Sequence, residues 1–588
     1  MLSTNRTSES DKEKPSMGAY EEKAWLQHYA KWTPREIELD SDTLVDIYER
    51  NLAKHSNRVA TWFFGQTMTY ADLNEQVLKL AAGLQEMGVK KGDRVAILLP
   101  NCPQHIVAFA AVMRLGAIIV EHNPLYTAAE LLPQFQDHGA KVAIVWDKAA
   151  EMVSTIRSDA PLSTIISVNM IEAMPLPYRL ALKVPVGPLK AMREKLSAPA
   201  PATMPWQAAL IDKQFHPAED IKQDDTVLIL YTSGTTGPPK GAQLTHGNLN
   251  AVLKGGLDWV KDLGKDREKI MTILPLFHVY GLALNLGLAL GIGAEMILVP
   301  APEPALIAMA LKKNPPTFFP GVPTLYEKIA EGAIANDKRY PSIRNSFSGA
   351  STLPASTIEK WESITGGVLV EGYGLTETSP IVTANPMDGN HRPGYIGIPF
   401  PNTEVRIGNP DNLDETMPDG EPGELLVRGP QVFKGYLNKP EATEKAFHDG
   451  WFRTGDMGIM ESDGYIRLVS RIKEMIITGG FNVYPDEVEQ VIKQHEDVED
   501  IAVVGRPRAD GSEDVVACVT LREGAVIQSD TLRDYARERL TPYKVPRTFY
   551  HFEELARDMT GKIRRREVQQ TLVDMLDSGN DTTVGEKD

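Results

Sequence analysis

The chain has 588 residues, 42% hydrophobic and 24% charged. That is enough to bury a large core and too ordinary a balance for a disordered, collagen-like or disulfide-stapled chain. Lys plus Arg number 62 against 79 Asp plus Glu, a net charge of −17, which disfavours broad adhesion to nucleic acid or anionic membrane and requires a local positive site for any polyanionic ligand.

At ~150 residues per domain, the length corresponds to about four units. The opening MLSTNRTSESDKEKPSMG is polar, has no apolar stretch to serve as a signal peptide, and reads as a flexible tail within an N-terminal extension over 1–40. From Leu44 helical and extended patterns alternate: TLVDIYERNLAKH, VATWFFG, TYADLNEQVLKLAAGLQEMG, DRVAILLP. Apolar residues recur at three and four in the helical pieces, and short apolar runs closed by Gly, Pro or Asp mark strands. The alternation continues through VAIVWD, TIISVN, TVLILYTSG, EMILVP and GVLVEGYG, which predicts an α/β fold with parallel sheets in layers. Cys102 and Cys518 stand far apart in no metal-ligand spacing, which fits a reduced, cytoplasmic compartment.

The segment 176–196, LPYRLALKVPVGPLKAMREKL, carries five basic residues and one acidic residue. It reads either as a solvated connector or as a peripheral membrane contact. The run 281–299, GLALNLGLALGIGAEMILV, is long enough to span a bilayer, but Asn285, Glu295 and its small residues predict a buried helix entering a core strand. After about residue 395 short Gly-rich segments predict a small β-rich subdomain over 395–470. A last α+β unit begins near Lys473, and the polar end over 576–588 is expected to be disordered.

The strongest local feature is TVLILYTSGTTGPPKGAQLTH over 226–246. A strand empties into Thr232, Ser233, Gly234, Thr235, Thr236 and Gly237, then Lys240, so hydroxyls, unhindered N–H groups and one ammonium can wrap a polyphosphate. Pro238 follows Gly237 and no Ser or Thr follows Lys240, so this is not the GxxxxGK[ST] loop.

With further motifs in order, LPLFHVYG (274–281), EGYGLTET (371–378), WFRTGD (451–456), RIKEMIITGGFNVYP (471–485) and TGKI (560–563), the sequence resembles the adenylate-forming superfamily over about residues 44–570. GWFRTGDMG and GGFNVYPDEVE look most like bacterial long-chain fatty-acid–CoA ligases. The resemblance implies an AMP-binding domain over 41–472 and a small mobile lid over 473–575 turning on a hinge at Lys473. It implies two half-reactions, carboxylate plus ATP to acyl-AMP and pyrophosphate, then transfer to the thiol of CoA, with Mg2+ accompanying ATP.

By that resemblance residues 232–240 hold the β- and γ-phosphates, and Glu377, with Thr376, meets Mg2+ and the α-phosphate. Gly349, Ala350 and Ser351 wall the adenine. Glu371, Gly372, Tyr373 and Gly374 pass beside it with Tyr373 stacked, Asp456 accepts from the ribose and Arg471 is a second contact. Lys562 joins carboxylate and α-phosphate. His278 and Gly281 stand at the acyl pocket, and Gly479 and Gly480 let the pantetheine arm pass. His278 alone reads as a satisfied core residue. Ser470 stands where the family usually has an acidic residue, and Leu555-Ala556-Arg557 replaces Leu-Pro-Arg.

Amino-acid activation is disfavoured because His278, not Asp, follows Phe277. Medium-chain or aromatic acids, and a nonenzymatic AMP- or acyl-binding regulator, remain as alternatives. The small-molecule partners are ATP, fatty acid and CoA, without nucleic acid, and the oligomeric state stays open between monomer and homodimer.

Overall fold

Thr43 opens the first long helix, Leu44–His55, with a capping box to Asp46, and the same device starts Tyr70–Glu86 from Thr69 and Asp72. Each box satisfies otherwise orphaned N–H groups at a helix start. In between, VATWF becomes the strand Val59–Phe63, buried in four of its five residues. The computed structural model describes residues 18–232, 239–471, 474–478, 481–508, 513–525, 527–558, 561–578 and 584.

Two large sheets carry the body. In one, Thr226–Thr232, Ile118–Glu121, Arg94–Leu98, Val142–Trp146 and Thr164–Val168 run parallel as neighbours, and Thr226–Thr232 also forms a hairpin with Lys240–Thr245. In the other, Val368–Tyr373, Asn345–Ser348, Phe318–Gly321, Lys269–Thr272 and Glu295–Leu298 are parallel neighbours. The helix Pro103–Arg114 is buried at every residue but Arg114, as expected of a helix apolar all round. Each of Ile106, Val107 and Phe109 removed from water there contributes about 1.5–3 kcal/mol.

Residues 281–299 form helical turns from Leu282 to Ile292, the first of them a π-helix, and then the strand Glu295–Leu298, the expected buried helix and core strand. No helix among the described residues is long and apolar enough to cross a membrane. Residues 404–471 form an antiparallel sheet in which Trp451–Met460 pairs with Gly423–Arg428 and with Ile466–Arg471. Beyond it, Val498–Pro507, Glu513–Leu521 and Thr548–His551 make a three-stranded sheet with the helices Pro485–Ile492 and Arg565–Asp577.

Both ends differ from plain tails. From Ala19 the chain is docked: Trp25 is buried, Ala19 N–H donates to Asp419, and Tyr29 Oη donates to Pro399 O at 2.9 Å. The disorder expected over 576–588 does not hold at two points. Leu576 and Asp577 close the last helix, and Val584 is buried in the C-terminal core with its backbone bonded to Ser529 and Phe549. An apolar side chain in a polar tail found a cavity to fill. Cys102 and Cys518 are free and buried, and burial pushes the Cys102 thiol up to about 12.

Candidate active site

Ligands of open parallel sheets gather beyond the carboxyl ends of the strands, and there Thr232, Ser348 and Tyr373 end their strands. Hairpin register sets Thr232 opposite Lys240, and Thr232 Oγ1 donates to Lys240 O at 3.4 Å. Both ends of the phosphate loop are therefore adjacent. Ser233, Gly234, Thr235, Thr236 and Gly237 lie outside the described residues, as do Lys473, Gly479 and Gly480.

Glu377 is buried in the turn Thr376–Thr378. Its Oε1 accepts from Tyr436 Oη at 2.7 Å, and Lys240 Nζ lies 4.3 Å above the centre of the Tyr436 ring. Sequence reasoning passed over Tyr436, since a tyrosine after Gly435 in FKGYLN carries no signal beyond an ordinary buried aromatic.

Asp456 sits mid-strand opposite Arg471 in register and is 4% exposed. Its Oδ1 pairs with Arg471 Nε at 3.1 Å and its Oδ2 accepts from Tyr373 Oη at 2.6 Å. Asp456 accordingly raises the Arg471 guanidinium, while burial first, then Asp456, hold the Tyr373 phenol in its donor form. Tyr373, expected as an adenine platform, has its hydroxyl anchored on Asp456.

Several predicted residues have packing reasons of their own. A Cβ on Gly372 would stand 2.4 Å from the Phe347 ring, and one on Gly374 would stand 1.6 Å from Pro380 O. The glycines expected to give room to adenine also have close neighbours within the protein, a side-chain ring at Gly372 and backbone at Gly374. Gly281, expected at the acyl channel, is likewise pressed on Pro275 O, 2.2 Å from where its Cβ would lie. Gly349 faces the Tyr280 ring, Ala350 takes a left-handed φ of 71°, and Ser351 follows in the same turn. Tyr280 Oη beneath them lies 2.6 Å from Phe347 O.

Glu371 closes that turn by accepting Leu353 N–H at 3.0 Å, so its carboxyl serves the loop. Burial pushes it from the ordinary 4.5 to about 8. An acid raised by folding contributes stability that is complete below its unfolded pKa and is lost as pH rises through its folded pKa. We therefore expect Glu371→Gln, which keeps an acceptor for Leu353 but does not titrate, to gain thermal stability over the native chain as pH goes from 5 to 8. At ~1.4 kcal/mol per pKa unit the gain amounts to at most a few kcal/mol. A difference in Tm that stays constant over this range would contradict it.

Lys562 comes from the far end of the chain. Its N–H donates to Asp558 Oδ1 at 3.0 Å, and Gly561, at φ 82°, makes the turn before it. Burial lowers the Lys562 ammonium below the usual lysine value and Arg471 pushes the same way, while Asp456, Glu474 and Asp486 oppose. The loop before Lys562 also approaches the N-terminal body, where Thr324 Oγ1 is 3.3 Å from the position of a Gly561 Cβ. His278, half-buried, accepts from Tyr280 N–H at 3.3 Å through Nδ1 and so caps its own helix. Burial lowers its pKa, with Asp558 of the lid opposing. Arg471, Asp456 and Tyr373 therefore form one cluster, with Lys562 within its electrostatic reach, and Lys240, Tyr436 and Glu377 form another.

Among the described residues no three His, Cys, Asp or Glu side chains gather as a metal cage. Glu377, with one oxygen bonded to Tyr436, fits instead a Mg2+ that arrives on phosphate oxygens and takes one carboxylate.

An apolar pocket enclosing about 480 Å3 of space, part of it open to solvent, begins one residue after Gly281 at Leu282 and is walled by Tyr48, Phe109, Leu253, Leu286 and Leu290 among others. The sequence only permitted a greasy cavity here, since most of these walls come from other elements.

The AMP-binding enzyme family model matches residues 48–437, and that of the AMP-binding enzyme C-terminal domain matches 487–562. The long-chain-fatty-acid–CoA ligase of Bacillus subtilis (strain 168) is 38% identical over 93% of this chain and 97% of that protein. The enzyme of the same name from Escherichia coli O6:H1 is 34% identical over 95% and 99%. Among solved structures, the anthranilate CoA ligase AuaEII in complex with anthranoyl-AMP superposes with a TM-score of 0.79 at 25% identity, over 92% of this chain and 99% of that one. By this match and by the two motif-bearing clusters, the chain belongs to the AMP-binding enzyme family.

Proposed function

We propose that the chain is an ATP-dependent long-chain fatty-acid–CoA ligase. A fatty carboxylate oxygen attacks the α-phosphorus of ATP, the α–β bond breaks and pyrophosphate leaves. The CoA sulfur then attacks the acyl carbon, the thiol proton is lost and AMP departs. The observation that carries the reading is the buried carboxylate of Asp456, held by Tyr373 Oη at 2.6 Å and Arg471 Nε at 3.1 Å, with the half-buried Lys562 within electrostatic reach of it, a site where positioning and charge neutralisation are the main catalytic need.

In this reading residues 232–240 hold the terminal phosphates, Asp456 the ribose, and Gly349–Ser351 with Tyr373 the adenine. Glu377, with Thr376, would meet Mg2+ and the α-phosphate, and the ion when bound neutralises phosphate charge. The domain over 473–575 acts as a lid, rotating at Lys473 so that Gly479 and Gly480 replace Lys562 beside the acyl-AMP. The pocket at Leu282 takes the acyl chain, its walls being apolar side chains such as Leu253, Leu286 and Leu290. The test is ATP-dependent pyrophosphate release and acyl-CoA formation over acids from acetate through coumarate to palmitate. Turnover is expected to peak with palmitate. A peak at coumarate favours the aromatic-acid alternative, and AMP binding without turnover of any acid favours the regulator.

The same reading locates the enzyme in the cytoplasm with a peripheral membrane contact at 176–196. Four of the nine exposed large hydrophobic residues among those described, Leu176, Leu180, Val184 and Val186, fall there, on and between the helices Leu176–Ala181 and Gly187–Leu196. Lys190 and Lys195 have acidic neighbours at 3.8 and 2.7 Å, while Arg179 and Lys183 beside the apolar residues make no ion pair among the described residues. An anionic lipid surface complements this mixture. Reversing Arg179 and Lys183 to Glu is expected to weaken sedimentation with phosphatidylglycerol vesicles at least tenfold, at ~1 kcal/mol per basic residue removed, and to leave phosphatidylcholine binding alone. Unchanged partitioning makes the segment a connector.

A further inference from the structure

Lys240 and Glu377, both assigned to the phosphates by the proposed function, meet the same tyrosine side chain, and opposite charges brought to one residue would ordinarily pair and cancel. Among the described residues no ion pair joins them. Tyr436 stands between, its ring face under Lys240 Nζ and its hydroxyl on Glu377 Oε1. We propose that Tyr436 is a positioning residue that keeps Lys240 and Glu377 apart and each free to act, the ammonium on phosphate oxygens and the second carboxylate oxygen on a phosphate-bound cation. The proposal rests on the reading that these two residues serve the nucleotide.

Each contact leaves the charge available. A ring face attracts an ammonium without accepting any of its N–H bonds in the ring plane, so the donors of Lys240 stay directed at a ligand. A phenol donates a single hydrogen bond, so it can fix Oε1 while Oε2 accepts nothing among the described residues. Burial and then Glu377 raise the Tyr436 phenol, which therefore remains a donor throughout the neutral range.

The ring is held firmly enough to act as a spacer. The strand Gly435–Tyr436 joins Lys240–Thr245 antiparallel, with Tyr436 opposite Ala242, and Leu437 N–H donates to Gly241 O at 2.8 Å. Tyr436 N–H donates to Thr443 Oγ1 at 2.9 Å, and Phe433 packs edge-on against the ring at 4.8 Å. Phe433 N–H in turn donates to Glu377 O at 2.8 Å, tying the strand to the turn that carries the carboxylate. Gly435 has a φ of 142°, and a Cβ there would stand 2.8 Å from Thr443 Cγ2, so glycine is what lets the chain present Tyr436 on this side.

Two variants of the full chain test it, read by calorimetric ATP binding with and without Mg2+ and by the Mg2+ concentration giving half-maximal turnover. Tyr436→Phe keeps the ring and loses the hydroxyl. Its ATP affinity without Mg2+ should stay within about twofold of the native chain, while the gain from Mg2+ falls about tenfold and the half-maximal Mg2+ concentration rises to match, the size expected for one lost hydrogen bond to a charged group. Tyr436→Leu removes the spacer, and ATP affinity without Mg2+ should also fall about tenfold as Lys240 closes on Glu377. A Tyr436→Phe enzyme whose Mg2+ dependence matches the native one, whatever its Tm, overturns the proposal and leaves Tyr436 a packing residue. Should the leucine variant not fold, the phenylalanine variant decides alone. A native chain that binds no ATP sinks the underlying reading, and the spacer with it.

Discussion

Replacing Lys562 by alanine is expected to lower pyrophosphate release from ATP and palmitate by about 10^2–10^3-fold, the size seen when one preorganised stabiliser of developing charge is removed, while acyl-CoA formation from supplied palmitoyl-AMP falls less than about tenfold. The asymmetry follows from where Lys562 sits. Its half-buried ammonium lies within electrostatic reach of Arg471 and Asp456, and its loop is braced by Asp558 and rests near Thr324, an arrangement suited to bringing two anions together. Thioester formation requires no such union, because the acyl-AMP already exists and the incoming group is a thiol. If lid rotation brings the glycine pair 479–480 to the site, Lys562 is absent from that second arrangement. Equal loss in both half-reactions would contradict a two-position lid. A loss of Tm matching the loss of activity would reduce Lys562 to a structural residue, although a half-buried ammonium with no structural hydrogen bond from Nζ among the described residues gives little reason to expect one.

Changing Asp456 to asparagine is the other large effect, a fall in kcat/KM for ATP of about 100-fold, corresponding to about 2.7 kcal/mol. Two losses add. The carboxylate that would accept from the ribose hydroxyls becomes an amide, and hydrogen bonds to charged groups contribute about 1.5–3 kcal/mol. The Arg471 guanidinium also loses its partner at 3.1 Å. Breaking a fully buried pair costs about 3–5 kcal/mol, but Arg471 is about one-third exposed, so solvent screens much of this term. Tyr373 can still donate to the amide oxygen, which keeps the strand ends together and makes the fold a small part of the effect. Steady-state kinetics against ATP, with equilibrium ATP affinity measured alongside, checks it. A change below about threefold in both would remove Asp456 from the nucleotide site.

The alternation of helices and strands was readable because each pattern is short and its physics local. A stripe at three and four, a capping Thr or a Gly stop acts within a few residues. The phosphate loop was readable for the same reason: Thr232 and Lys240 are eight residues apart and a hairpin sets them face to face. Asp456 and Arg471, fifteen residues apart, are joined by another hairpin. Glycine was the ambiguous signal. Gly281, Gly372 and Gly374 are expected beside ligands, and each is also pressed against the protein itself, on Pro275 O, the Phe347 ring or Pro380 O, and a missing side chain looks the same whichever neighbour required it.

What the sequence alone determined is the class of fold and the family, and residue types such as the Ser/Thr/Gly loop, Glu377, Asp456 and Lys562 state which charges and donors are available. The tertiary structure decided which of them meet. Tyr436 reaches Glu377 across 59 positions and Tyr373 reaches Asp456 across 83. The apolar pocket at Leu282 takes walls from Tyr48, Phe109 and Leu253, and Val584 returns from the far end to fill the C-terminal core. Such meetings depend on how sheets and helices stack, and stacking is a sum of many small contacts that no segment carries by itself.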